Sequence, residues 1–201
     1  TVCRKTSDIN PERNRHMEFR VKFKDPNQKP IRCGSRTVPI ACRERARAEL
    51  KEMEQSGLIR KCVSPWASPL HVVEKKDTGK VRITVDYKLF NQVIDGDQQP
   101  IPDTEQLIRE MSKSRWFSKF DICKAYHHIP VEKESRACLA FVCEWGLYEW
   151  LGMPMGVSTA PAWFQRYMEL TFSDLIETGH VCIYLDDIIV HTESLEEHLE
   201  I

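Results

Sequence analysis

The sequence lacks a long apolar run, a paired-cysteine motif and a large net charge, and each absence removes a class of function. No apolar run in the 201 residues approaches the roughly 18 that a membrane-spanning helix needs. The opening Thr-Val-Cys-Arg-Lys does not read as the apolar core of a signal peptide. An initiator Met is also missing, so the sequence is read as a fragment or a processed piece. None of the eight cysteines (Cys3, Cys33, Cys42, Cys62, Cys123, Cys138, Cys143 and Cys182) makes a C-x-x-C pair. Scattered reduced thiols are therefore expected, in preference to a zinc site or a disulfide framework. No internal repeat is present. The 29 basic and 30 acidic side chains leave a formal charge of -1, which argues against a simple nucleic-acid-coating protein, because counterion release needs clustered positive charge.

That neutrality hides a gradient. Residues 1–50 sum to +7 and residues 151–201 to -8. Such asymmetry marks nucleic-acid contact or an acidic site built for cations. An apolar content of 41% with five Trp excludes a wholly disordered chain. The length allows one domain, or two small lobes sharing a core.

Residues 1–35 are polar and interrupted by Pro11, Pro26, Pro30 and Gly34, and read as a linker or extended arm, with short strands at Phe19–Phe23. Ala46, Leu50 and Met53 recur at helical spacing, which predicts a helix over 40–55 stopped by Gly57. A hairpin is predicted from strands at 70–76 and 80–87 around Asp77-Thr78-Gly79. A helix over 103–112 and a strand over 116–122 follow, then strands at 137–143 and 148–151. A long helix over 160–176 carries Pro161 in its first turn. Strands at 181–185 and 188–191 close a hairpin whose tip reads as Asp186-Asp187. The fold class expected from this interleaving is α+β.

Asp is a common turn residue, but two-residue hairpins prefer Asn-Gly or Asp-Gly. Asp-Asp between apolar strands sets two like charges side by side, and a divalent cation would offset them. Asp121 ends another apolar strand. Three carboxylates at strand ends make an oxygen-rich site suited to Mg²⁺. Two such ions about 3.5–4 Å apart form the clamp for in-line phosphoryl transfer. On the predicted hairpin, pairing Lys76 with Val81 would set Lys75 directly opposite Arg82. Like charges so placed repel unless an anion such as a triphosphate lies between them. Two solvated surface charges are the plainer alternative for that pair. His127-His128 is read as structural, since adjacent strand residues point to opposite faces. Met153 and Trp163 read as packing. Glu193, Glu196, Glu197 and Glu200 read as the solvated face and start of a helix.

Five ordered blocks then carry a resemblance. They are Ser64-Pro65-Trp66-Ala67-Ser68-Pro69; Val81-Arg82-Ile83-Thr84-Val85-Asp86-Tyr87 with Asn91; and Phe117 to Asp121 through Ala125-Tyr126-His127-His128-Ile129. The last two are Gly152-Met153-Pro154-Met155-Gly156 with Ala160-Pro161-Ala162 and Phe164-Gln165, and Tyr184-Leu185-Asp186-Asp187-Ile188-Ile189-Val190 with Glu197-His198-Leu199. Over about residues 36–199 the sequence resembles the reverse transcriptase of LTR retrotransposons, most closely the gypsy type.

The resemblance implies a right-hand polymerase fold with fingers over 36–115 and a palm over 116–201, an antiparallel palm sheet packed on helices, and no thumb within the sequence. It implies Asp121, Asp186 and Asp187, with the carbonyl of Ile122, as ligands of two Mg²⁺ ions, Mn²⁺ being the substitute ion. Lys75 and Arg82 would grip the incoming triphosphate, Tyr126 would act as the aromatic gate favouring deoxynucleotides, and Met155-Gly156 would lie under the nucleotide. Trp66 and its prolines would fix the fingers. Departures are Met155, where gypsy elements carry Phe, Lys88 in place of Arg, and Cys123-Lys124-Ala125 after the first Asp. The implied partners are an RNA or DNA template with its primer, dNTP, and the thumb, connection and ribonuclease H regions of the same polyprotein. No membrane is implied, and the location is intracellular, in a cytoplasmic virus-like particle. The alternative is a catalytically incompetent or domesticated remnant that binds RNA or protein. Another two-metal phosphotransferase, a nuclease or cyclase, fits less well with the blocks at 75–82 and 152–165.

Overall fold

Helix α1 (Ile40–Gln55) shows how local sequence builds the scaffold. Cys42, Ala46, Leu50 and Met53 line its buried face at helical spacing. Gly57 takes φ +74 and the Leu58 N–H returns to the Met53 carbonyl at 3.0 Å, a glycine-dependent helix stop. The computed structural model describes residues 11, 17–74, 81–96 and 102–201. It divides into two compact units, one of residues 1–96 with 126–160 and the other of 97–125 with 161–201.

The first unit holds a five-stranded sheet. Its strands are β1 (Ile59–Lys61), β2 (Ser68–Glu74), β3 (Val81–Val85), β5 (Phe141–Cys143) and β6 (Gly146–Trp150), in the order β1-β6-β5-β2-β3. The β2–β5 pair is parallel and the other pairs are antiparallel. Helices α2 (Lys88–Val93) and α4 (Lys133–Arg136) belong to the same unit. Phe141 lies against Tyr148 and Trp150, at centroid distances of 5.6 and 5.3 Å, and Tyr87 donates its buried hydroxyl to the Leu139 carbonyl. Gly152 has no room for a side chain, since a Cβ would stand 2.3 Å from the His127 carbonyl oxygen.

The described part of the N-terminal segment is pinned to this unit. Phe19 is fully buried and bridges to Val131, and Phe23 bridges to Ile94 and stacks on Trp66 at 5.1 Å. Only single bridges form there, where short strands were expected. Burying a Phe side chain is worth about 1.5–3 kcal/mol, enough to hold such an arm.

The second unit holds a three-stranded antiparallel sheet of β4 (Trp116–Asp121), β7 (Val181–Tyr184) and β8 (Asp187–Thr192), in the order β4-β8-β7. Its helices are α3 (Thr104–Glu110), most of α5 (Ala160–Thr171), α6 (Ser173–Glu177) and α7 (Leu195–Glu200). Asp103 caps α3 by accepting the Glu105 N–H, and Ser194 caps α7 by accepting the Glu197 N–H. The single helix expected over 160–176 is broken. Phe172 leaves helical geometry at φ -116, ψ 21 and restarts the chain as α6. The strand expected over 137–143 is shorter than read, because Ala137–Leu139 winds into a 3₁₀ turn before β5.

Candidate catalytic site

β4 and β8 pair along their whole length, from Trp116 with Thr192 to Asp121 with Asp187. Directly paired residues share a sheet face, so the side chains of Asp121 and Asp187 leave on the same side. The Ile122 N–H continues the contact by donating to the Asp186 carbonyl at 3.3 Å. Backbone pairing thus brings Asp121 beside the adjacent Asp186 and Asp187, which lie 65 and 66 residues further along the sequence.

The turn differs from the expected Asp-Asp tip. Asp187 is drawn into β8 opposite Tyr184, which leaves Leu185 and Asp186 as the two tip residues. Leu185 sits at φ 53, a left-handed conformation that costs an L-residue about 1–2 kcal/mol. A positive φ at the tip is what a two-residue hairpin demands, and here a leucine supplies it.

Lys119 stands two residues before Asp121 on β4, hence on the same face. Its Nζ lies 2.8 Å from Asp187 Oδ2. The hydrogen bond and charge of Asp187 raise its pKa above the ordinary lysine value, and the charges of Asp121 and Asp186 add to this. One exposed ammonium therefore senses all three carboxylates. Among the described residues, no three His, Cys, Asp or Glu side chains form a cluster already shaped to hold a metal ion. The Asp187 carboxylate is instead turned to Lys119. The donor set is nonetheless of the right kind for a hard divalent cation: oxygens only, exposed or half-buried, with an ammonium as stand-in. Sequence reasoning missed Lys119; its i, i+2 spacing from Asp121 was the available signal.

The remaining candidates lie in the five-stranded unit. Arg82 on β3 is exposed and pairs with Val73, because the ladder runs from Leu70 with Val85 to Glu74 with Val81. The expected placement of Lys75 opposite Arg82 is therefore corrected: the register is offset by two residues. Lys75 itself, and the Asp77-Thr78-Gly79 turn, lie outside the described residues. Tyr126 is half-buried in the 3₁₀ turn Ala125–His128, and its carbonyl accepts the Ile129 N–H. Met155 and Gly156 are both exposed, and Gly156 takes φ +92 with Val85 O only 3.3 Å from where a Cβ would stand. Asn91 braces that loop from α2. Its Nδ2 donates to the Gly156 carbonyl at 2.9 Å and its Oδ1 accepts the Ser158 N–H at 3.0 Å.

His127 sits in a 3₁₀ turn, not a strand. Its Nδ1 is 3.0 Å from the Met153 carbonyl and its ring stacks on Trp150 at 5.2 Å, in keeping with a structural role. Trp66 is buried between Phe23 and Phe90, as a residue that fixes this unit would be. No disulfide forms among the described residues, and no helix there is long and apolar enough to cross a membrane.

The chain is similar to known proteins across most of its length. It is 37% identical over 171 residues to a retrovirus-related Pol polyprotein from transposon 297 of Drosophila melanogaster, covering 82% of this chain and 16% of that protein. It is 36% identical over 191 residues to a transposon Tf2-3 polyprotein of Schizosaccharomyces pombe, covering 94% of this chain and 14% of that protein. The chain thus spans about a seventh of the length of these relatives. Its fold matches a foamy viral protease-reverse transcriptase in complex with double-stranded DNA, at a TM-score of 0.78 and 21% identity over 90% of this chain and 32% of that one. It also matches a foamy viral protease-reverse transcriptase bound to an RNA/DNA hybrid, at a TM-score of 0.77 and 20% identity over 90% of this chain and 25% of that one. This is the α+β fold of reverse transcriptase fingers and palm. The family profile for reverse transcriptase (RNA-dependent DNA polymerase) matches residues 73–201. On these matches, the chain belongs to the reverse transcriptase family.

Proposed function

We propose that this chain carries the nucleotidyl-transfer centre of an RNA-directed DNA polymerase from a gypsy-type retrotransposon polyprotein. The pairing of Asp121 with Asp187, extended by the contact of Ile122 with Asp186, is the observation that carries the reading. In this reading the unit of β4, β7 and β8 serves as palm and the five-stranded unit as fingers.

Asp121, Asp186 and Asp187, with the Ile122 carbonyl, hold two Mg²⁺ ions, for which Mn²⁺ can substitute. When bound, the ions supply Lewis-acid stabilisation of the attacking 3′-hydroxyl and of the pyrophosphate leaving group. The protein's own part is placement. Arg82, joined by Lys75, binds the triphosphate, Arg through paired N–H donors and Lys as a point charge. The Tyr126 ring crowds a ribose 2′-hydroxyl. Met155 and Gly156 form the floor under the nucleotide, and Asn91 keeps that floor at fixed height. The primer 3′-hydroxyl gives its proton to solvent as its oxygen bonds to the α-phosphorus, the bond from that phosphorus to the α,β-bridging oxygen breaks, and pyrophosphate leaves. Template, primer, dNTP and the remaining regions of the polyprotein are the partners, and a cytoplasmic virus-like particle is the setting.

The test is primer extension on an RNA template by the full-length protein. Extension is expected with Mg²⁺ or Mn²⁺, lost on chelation, and reduced on the order of a thousandfold by Asp186→Asn, the loss of several kcal/mol of transition-state stabilisation. RNA binding without extension by the wild type would assign the binding remnant instead.

A further inference from the structure

The tip of the β7–β8 hairpin poses a local problem. Leu185 holds a positive φ, yet it lacks both the freedom of glycine and the side-chain hydrogen bonding that lets Asn or Asp adopt this conformation. β7 is also an edge strand, since the sheet order is β4-β8-β7, so among the described residues its outer N–H and C=O groups lack a ladder partner.

One side chain answers both demands. Gln165 on α5 is 1% exposed, on a face shared with buried Phe164 and Met168. Its Oε1 accepts the Leu185 N–H at 2.8 Å. Its Nε2 donates to the Ile183 carbonyl at 3.2 Å and to Glu169 Oε1 at 2.9 Å. The carboxamide thus presents one acceptor and one donor to residues 183 and 185, as a neighbouring strand would. The Glu169 bond uses its second N–H, which fixes the orientation of the amide.

We infer that Gln165 is a positioning residue, a carboxamide clamp that holds Leu185 left-handed and thereby sets where Asp186 and Asp187 stand. Its contacts with the tip are to the backbone of Ile183 and Leu185, and it acts on Asp186 and Asp187 only through that backbone. The inference rests on the reading of this hairpin as the nucleotidyl-transfer centre. Its chemistry is independent of the metal: a buried amide over-determines a backbone conformation that would otherwise relax, and a carboxylate shifted by about 1 Å loses on the order of a hundredfold in rate.

The test uses Gln165→Met in the full-length protein, a change that keeps volume and removes both hydrogen-bonding ends. The expected result is a kcat for dNTP incorporation lower by about tenfold to a hundredfold, with the KM for dNTP within about twofold. Amide exchange at Leu185 is expected to speed up by at least about tenfold while the melting transition stays cooperative. The discriminating step is Leu185→Gly added to Gln165→Met. Glycine adopts positive φ without penalty, so the double variant recovers kcat by at least about threefold over Gln165→Met alone. Loss of core packing would not be relieved this way. Unchanged kcat and Leu185 exchange in Gln165→Met would overturn the inference, as would a kcat loss that Leu185→Gly leaves untouched. Should Gln165→Met not fold, Gln165→Leu, which also lacks both hydrogen-bonding ends, is read by the same two criteria. If the wild type extends no primer, the reading of the site fails, and Leu185 exchange alone then judges the clamp.

Discussion

Asn91 and Gln165 use the same functional group for the same purpose. Each turns both ends of a carboxamide onto the backbone of a segment that contains a positive φ: Asn91 on Gly156 and Ser158, Gln165 on Ile183 and Leu185. The loop braced by Asn91 carries Met155, so its loss should be felt as nucleotide binding. Asn91→Ala removes two hydrogen bonds and is expected to cost about 1–3 kcal/mol of stability. A rise in KM for dNTP of roughly fivefold to tenfold is expected beside it, with kcat little changed. Steady-state kinetics with a melting curve would measure both, and a fall in kcat at constant KM would refute the assignment. Asp186 and Asp187 stand out in the sequence, because Asp-Asp between apolar strands violates ordinary turn chemistry. The brace partners were not, since nothing local in a sequence says which distant backbone a buried amide reaches. The expected placement of Lys75 directly opposite Arg82 failed on register. It assumed that the ladder reached Lys76, whereas the described ladder pairs Val81 with Glu74.

Among elements, α1 was legible in full because its apolar spacing and its glycine stop agree. The helix over 160–176 was not, since Phe172 breaks it while its apolar side chain preserves the helical pattern. β8 carries a further consequence. His191 is buried, with Nδ1 2.9 Å from Ser114 Oγ and Nε2 3.2 Å from Cys182 Sγ. Burial, then the nearby His180 ring, lowers its pKa below the ordinary 6.5, with Glu110 opposing weakly. The folded state therefore favours the neutral ring. The stability His191 contributes is present above its unfolded pKa and is lost as pH falls through the lower folded value. The melting temperature is expected to fall between about pH 8 and about pH 5, with a shallower slope in His191→Asn. Equal slopes in the two proteins would contradict this.

At the scale of the whole chain, the two units are each assembled from separate stretches of sequence, with residues 126–160 grouped with the N-terminal part. The charge gradient acquires a meaning on that map. The net -8 of residues 151–201 includes two of the three carboxylates, and the +7 of residues 1–50 belongs to the other unit. Charge near zero is thus compatible with a polyanionic partner, provided a cation first fills the acidic site. The central claim is that Asp121, Asp186 and Asp187 form one catalytic centre. The most direct measurement is the single-turnover rate of dNTP incorporation on an RNA template, for Asp121→Asn and Asp186→Asn beside Asp174→Asn. Asp174 lies on α6, outside the hairpin. The first two are each expected to lose on the order of a thousandfold while Asp174→Asn stays within about twofold of wild type. Incorporation by folded Asp121→Asn or Asp186→Asn at the wild-type rate would contradict it.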